Sequence, residues 1–139
     1  MPLEPRFRAS LYVILAVLFA TGAAWLVADQ SKDTANGELW QQIAANLLMV
    51  HGGTAMLALL CLGALGPVHI RRSWRSNKNR VTGTVMVTLN SILILTAFGL
   101  YYAGSDSLRP WISNIHLAVG FGLPVLLLTH VLIGKRSAS

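Results

Sequence analysis

Charge is what this chain has least of. Its 139 residues include 11 Lys and Arg and 5 Asp and Glu, 12% in all, where a soluble domain carries roughly a quarter. Cysteine is almost missing. Cys61 stands alone inside an apolar block, which excludes an internal disulfide and a cysteine-rich metal site. There is no Ser/His/Asp set, no pair of carboxylates and no glycine-rich phosphate loop. No residue is therefore assigned a catalytic role, and no flavin or nicotinamide domain has room in the short loops. What the chain does have is apolar residues, 54% of the total, gathered in long blocks. That places it in the membrane class.

A bilayer core needs about 20 apolar residues in helix. Four stretches qualify, 11–28, 43–66, 81–103 and 111–133, and none holds an acid, a lysine or an arginine. The absence of acids inside them argues against a proton-pumping relay. Span 1, the shortest, follows Arg6 and Arg8 as a signal peptide's apolar region would. Its apolar block is long for that role and AWLVADQ lacks a clean cleavage site, so a retained helix is expected. Trp40, Tyr101, Tyr102 and Trp111 fall near span ends, as interfacial aromatics do. Nine of the eleven cations, Arg6, Arg8, Arg71, Arg72, Arg75, Lys78, Arg80, Lys135 and Arg136, lie on one side. Lys32 and Arg109 lie on the other with Asp29, Asp33, Glu38 and Asp106. The cation-rich side is predicted to be cytoplasmic. The basic run thus reads as a topology signal, and nucleic acid is disfavoured. The expected fold is all-α: a single membrane domain over 1–139, a four-transmembrane-helix bundle with both termini inside.

A weak internal repeat overlies these spans. LFATGAAWLVA in span 1 resembles LTAFGLYYAG in span 3, and MVHGG…VHIRR in span 2 resembles NIHLA…THVLIGKR in span 4. Two copies of a helical hairpin are predicted. All four histidines belong to spans 2 and 4 or their inner ends. His51 and His69 are 18 residues apart, about five turns, and His116 and His130 are 14 apart, about four turns less ~40°, so each pair shares a face. An ionisable residue inside a span usually faces protein and has a partner. Two imidazoles at matched depth on facing helices are what a six-coordinate haem iron takes as axial ligands. His51 with His116 and His69 with His130 are the expected pairs. The span 2 pair is ~27 Å apart along the axis and the span 4 pair ~21 Å, a mismatch that Pro67, Pro124 or helix tilt is expected to absorb. Otherwise His69 is an interfacial residue and one haem remains. Gly52, Gly53 and Gly120 offer room for a flat macrocycle beside the outer pair, with Gly63 and Gly66 near His69. Copper or zinc on the same histidines is the lesser metal reading, and Met49, Met56 and Met86 are read as core filler. Without a metal, each histidine is an interhelical hydrogen-bonding residue.

The H-x13-H of span 4 (His116 and His130), His51 in span 2 and the four-span layout resemble small membrane b-type cytochromes, including the bacterial cytochrome b561 type. The likeness covers most of the chain as architecture and rests on few residues. Span 1 has no histidine, whereas cytochrome b561 proteins usually take a ligand from their first span. Here two helices alone would hold the ligands. The resemblance implies two haems b, electron exchange with membrane quinone, a periplasmic or membrane redox subunit as partner, and a bacterial inner (plasma) membrane location among lipid. It also admits superoxide as a donor at the outer haem, and a homodimer is compatible with it. Haem propionates would call on Arg71, with Arg72 and Arg75, at the inner side and on Arg109 at the outer side. Asn46, Asn90 and Asn114 are expected to bond across helices, with Asn90 also a candidate for a ligand or quinone contact. The competing class is a haem-free four-helix assembly or transporter subunit whose histidines are packing glue.

The orientation is open to a direct check. In a Cys61→Ser background, a cysteine at Thr34 should react with a membrane-impermeant maleimide in intact cells, and one at Ser73 should react only after lysis. The reverse pattern would invert the topology.

Overall fold

The computed structural model describes residues 4–66, 75 and 80–136, with side chains as far as Ile133. Four helices account for nearly all of it: α1 (Pro5–Gln30), α2 (Gly37–Leu65), α3 (Arg80–Tyr102) and α4 (Leu108–Arg136). All four are long and apolar enough to cross a membrane, and no strand occurs among the described residues. The chain is thus an all-α, multi-pass membrane protein. Three of the helices begin or end well outside the apolar blocks. α1 starts at Pro5 and α2 at Gly37, six residues before each block. The reason is that a helix already satisfies its own backbone and need not stop where hydrocarbon does. Span 1, expected to be the shortest, is 26 residues long and the most apolar of the four; α3, with 23, is the shortest.

The helices pair as two antiparallel hairpins, α1 with α2 and α3 with α4, each a compact unit. In the first, the buried apolar residues among those described are all alanines, Ala28 on α1 and Ala44 and Ala58 on α2. Ala44, His51 and Ala58 recur every seven residues, as do Thr21 and Ala28. Seven residues are close to two turns, so these form one stripe on each helix. Lipid provides no hydrophobic drive for helices to associate, and small residues let backbones approach until dispersion holds them. The larger apolar side chains point away. Met49 and Met56, two residues before His51 and Ala58, are 73% and 68% exposed; they lie off the seam and are not filler of the hairpin core.

The connections are compact. Ser31 ends α1 by donating its backbone N–H to the Val27 and Ala28 carbonyls, and Lys32 pairs with Asp29. The chain then turns so tightly that a Cβ on Gly37 would collide with the Lys32 carbonyl, while Gly37 N–H donates to the Thr34 carbonyl at 2.9 Å. Between α3 and α4, Ser105 Oγ accepts from Leu108 N–H at 3.3 Å, a side-chain cap on α4. Phe98 and Tyr102 stack with centroids 4.5 Å apart. Tyr101, Tyr102 and Trp111 are more than 70% exposed at this end, the placement of an aromatic belt. α4 runs unbroken past Pro124, although proline removes one backbone donor.

Replacing Gly37 with alanine forces the first connection open, because backbone, not a flexible side chain, stands in the way. A loss of about 1–3 kcal/mol is expected, read as a lower unfolding midpoint in detergent. An unchanged midpoint would mean that the turn relaxes freely.

Candidate functional site: three threonine–histidine pairs

Each histidine in the described spans meets a threonine of the neighbouring helix. In the first hairpin, Thr21 Oγ1 of α1 is 3.0 Å from His51 Nδ1 of α2. In the second, Thr96 Oγ1 of α3 is 2.8 Å from His116 Nδ1 of α4. Thr82 Oγ1 is 3.0 Å from His130 Nδ1 on the same two helices. The ring atom is Nδ1 in all three. Thr82 and Thr96 are 14 residues apart, as are His116 and His130. The antiparallel register is therefore constant along the second hairpin, and it holds on both sides of Pro124. The two pairs are ~21 Å apart along the axis.

Threonine suits this position for a reason internal to helices. Its hydroxyl can donate to the carbonyl four residues earlier, so it enters a membrane helix without stranding a polar atom. Thr21 Oγ1 donates to the Val17 carbonyl at 2.7 Å, with Leu18 O at 3.2 Å. Thr96 Oγ1 does the same with the Ile92 carbonyl at 2.7 Å, with Leu93 O at 3.1 Å. The oxygen's remaining lone pairs face the imidazole. Glycine completes the fit at His51, because a Cβ on Gly22 would stand 3.3 Å from His51 Cε1 and 3.6 Å from Nδ1. Only a residue without a side chain lets the ring close on Thr21 undisturbed.

The other sequence candidates fall out as follows. His69, Arg71 and Arg72 lie outside the described residues. Arg109 donates from Nη1 to the Leu100 carbonyl at 2.8 Å and to the Ala103 carbonyl at 3.4 Å. Its cation thus closes the carboxyl end of α3, where the last carbonyls lack partners and the helix dipole is negative. Asn90, expected to bond across helices, donates from Nδ2 to the Met86 carbonyl of its own helix at 2.8 Å. Gly53 borders open space, and Gly120 has only Leu93 Cδ2 at 3.9 Å from where a Cβ would be. Both leave room beside a histidine.

No family model matches the chain, and neither curated proteins nor solved structures match it. The chemistry must be read from the residues. No group of three or more His, Cys, Asp or Glu that could hold a metal ion forms among the described residues. A haem makes no such demand, since the porphyrin supplies four nitrogens and the protein one imidazole to each face. An imidazole whose Nδ1 is held by a hydroxyl meets the usual requirement for such a ligand, a hydrogen bond that fixes ring orientation while Nε2 is the coordinating atom.

The threonines are what reading by sequence had missed. Spans 1 and 3 hold no histidine, so two helices alone are expected to hold the ligands. The signal was present in the T-x13-T of span 3, which answers the H-x13-H of span 4, and in Thr21 at heptad spacing from Ala28. Gly22→Val should drive the His51 ring off Thr21 and lower the unfolding midpoint in detergent by the equivalent of about 1–3 kcal/mol. Gly53→Val, which meets open space, should change it little. Equal effects of the two would mean that the Gly22–His51 approach carries no constraint.

Proposed function

We propose that the chain is a membrane b-type cytochrome of the bacterial inner membrane, with both termini cytoplasmic, carrying electrons between the quinone pool and a redox protein subunit. The observation that supports this most is the threonine held on Nδ1 of His51, His116 and His130 alike. Glue alone has no need to use the same nitrogen three times, whereas axial ligation through Nε2 does. In this reading His51 and His116 are one axial pair, matched in the sequence repeat, and His130 takes His69 as its partner in a second. When bound, haem b would supply the one-electron couple. The protein's own residues orient the imidazoles, leave room beside Gly53 and Gly120, and keep charge out of the spans. Arg71 remains the proposed propionate partner on the inner side. Arg109 has further guanidinium donors beyond the one on Leu100 and Ala103, and stays the candidate on the outer side.

The same hydrogen bonds favour a second reading, a haem-free membrane assembly or transporter subunit in which Thr–His pairs are interhelical glue. A reduced-minus-oxidised spectrum of the purified full-length chain separates the two, with a pyridine haemochrome assay for stoichiometry. A b-type spectrum with two haems per chain is expected. His51→Ala and His116→Ala should each remove the same haem and spare the other. A colourless protein ends the cytochrome reading, one haem per chain removes the His69–His130 pair, and spectra unchanged by both substitutions sink the ligand assignment.

A further inference from the structure

We infer that Thr21 and Thr96 are positioning residues: each sets the proton of its histidine on Nδ1, and so makes Nε2 the basic nitrogen before any metal arrives. The argument begins with the single proton of a hydroxyl. Thr21 Oγ1 is 2.7 Å from the Val17 carbonyl oxygen, and Thr96 Oγ1 is 2.7 Å from that of Ile92. Two oxygens at that separation are bonded only if a proton lies between them, and a carbonyl has none to give. The threonine proton is therefore committed to its own helix. Toward the imidazole the hydroxyl offers lone pairs alone, so the nitrogen it meets, at 3.0 Å in His51 and 2.8 Å in His116, must be an N–H. A neutral imidazole has one N–H, which leaves the lone pair on Nε2.

The consequence for a metal rests on the cytochrome reading; the tautomer does not. A hydroxyl already donating to a carbonyl is polarised into a better acceptor, and an acceptor on Nδ1–H makes the ring a stronger base at Nε2. A more basic axial ligand favours the ferric state and holds the midpoint potential down. Both sites share the wiring of hydroxyl to carbonyl and ring to hydroxyl, and at His51 the Leu18 carbonyl is a further acceptor for the ring. That repetition separates a positioning role from a chance contact, since packing would be served equally by a hydroxyl that donated to the ring.

Two measurements on the full-length chain test this. In protein purified without haem, 15N spectra of labelled histidine should show His51 and His116 protonated at Nδ1. Thr96→Val, which keeps the shape and loses the acceptor, should abolish that preference at His116, Thr21→Val should weaken it at His51, where the Leu18 carbonyl also accepts from the ring, and Thr→Ser should restore both. In haem-loaded protein, the valine variants should raise the midpoint potential of the affected haem and weaken haem binding about 10–100-fold, again with rescue by serine. Nε2 protonation in the unsubstituted protein overturns the inference, whether or not haem binds. So does a haem-loaded Thr96→Val protein with an unshifted potential. A colourless protein with both histidines protonated at Nδ1 would sink the cytochrome proposal and leave the tautomer assignment standing.

Discussion

A polar ring in hydrocarbon has to be met by another polar group, and in both hairpins that requirement is satisfied by histidine Nδ1 meeting a threonine hydroxyl across the helix seam, once in the first hairpin and twice in the second. The rest of the architecture follows from it. For the bond to reach 3 Å the helices must approach closely, which explains why the seam beside His51 is alanine and glycine. For the threonine to be tolerated away from its partner, its hydroxyl must lean on its own helix, which it does at the i−4 carbonyl in both Thr21 and Thr96. Register, spacing and side-chain size all serve one contact.

The second hairpin shows how such a contact propagates. Thr82 and Thr96 facing His130 and His116 hold α3 and α4 at two depths with one register, and Arg109 closes the connection by reaching back to Leu100 and Ala103. Each bond is modest, about 0.5–1 kcal/mol by the experience of other membrane helices. What they supply is specificity. A slip of one residue would strand two imidazoles in a medium without water, and the cost of stranding a polar group exceeds the gain from pairing it. The larger apolar side chains exposed on each hairpin impose no such discrimination.

Functionally, the division of labour between helices is less lopsided than the histidine positions imply. The histidines are on α2 and α4, but what a histidine can coordinate depends on which nitrogen is occupied, and the groups that occupy it are on α1 and α3. Each hairpin carries histidines together with the threonines that hold their Nδ1. All four helices thus contribute to the polar contacts of the spans.

Much of this was determined by the sequence alone. Four uncharged blocks of about 20 residues can only be buried as helices in lipid, so the number of spans, the all-α class and the placement of His51, His116 and His130 inside spans are readable from composition and spacing. The helix ends were not, because hydrocarbon thickness sets where apolar residues must stop, while capping and turns set where the helix does; Pro5 and Gly37 lie well outside the blocks for that reason. Nor was the use made of Thr21, Thr82 and Thr96. A hydroxyl looks the same in sequence whether it is bonded to its own helix, as Thr54 and Thr129 are, or faces a histidine as well. Only the antiparallel pairing, which sets residue 96 opposite residue 116 and residue 21 opposite residue 51, decides between them.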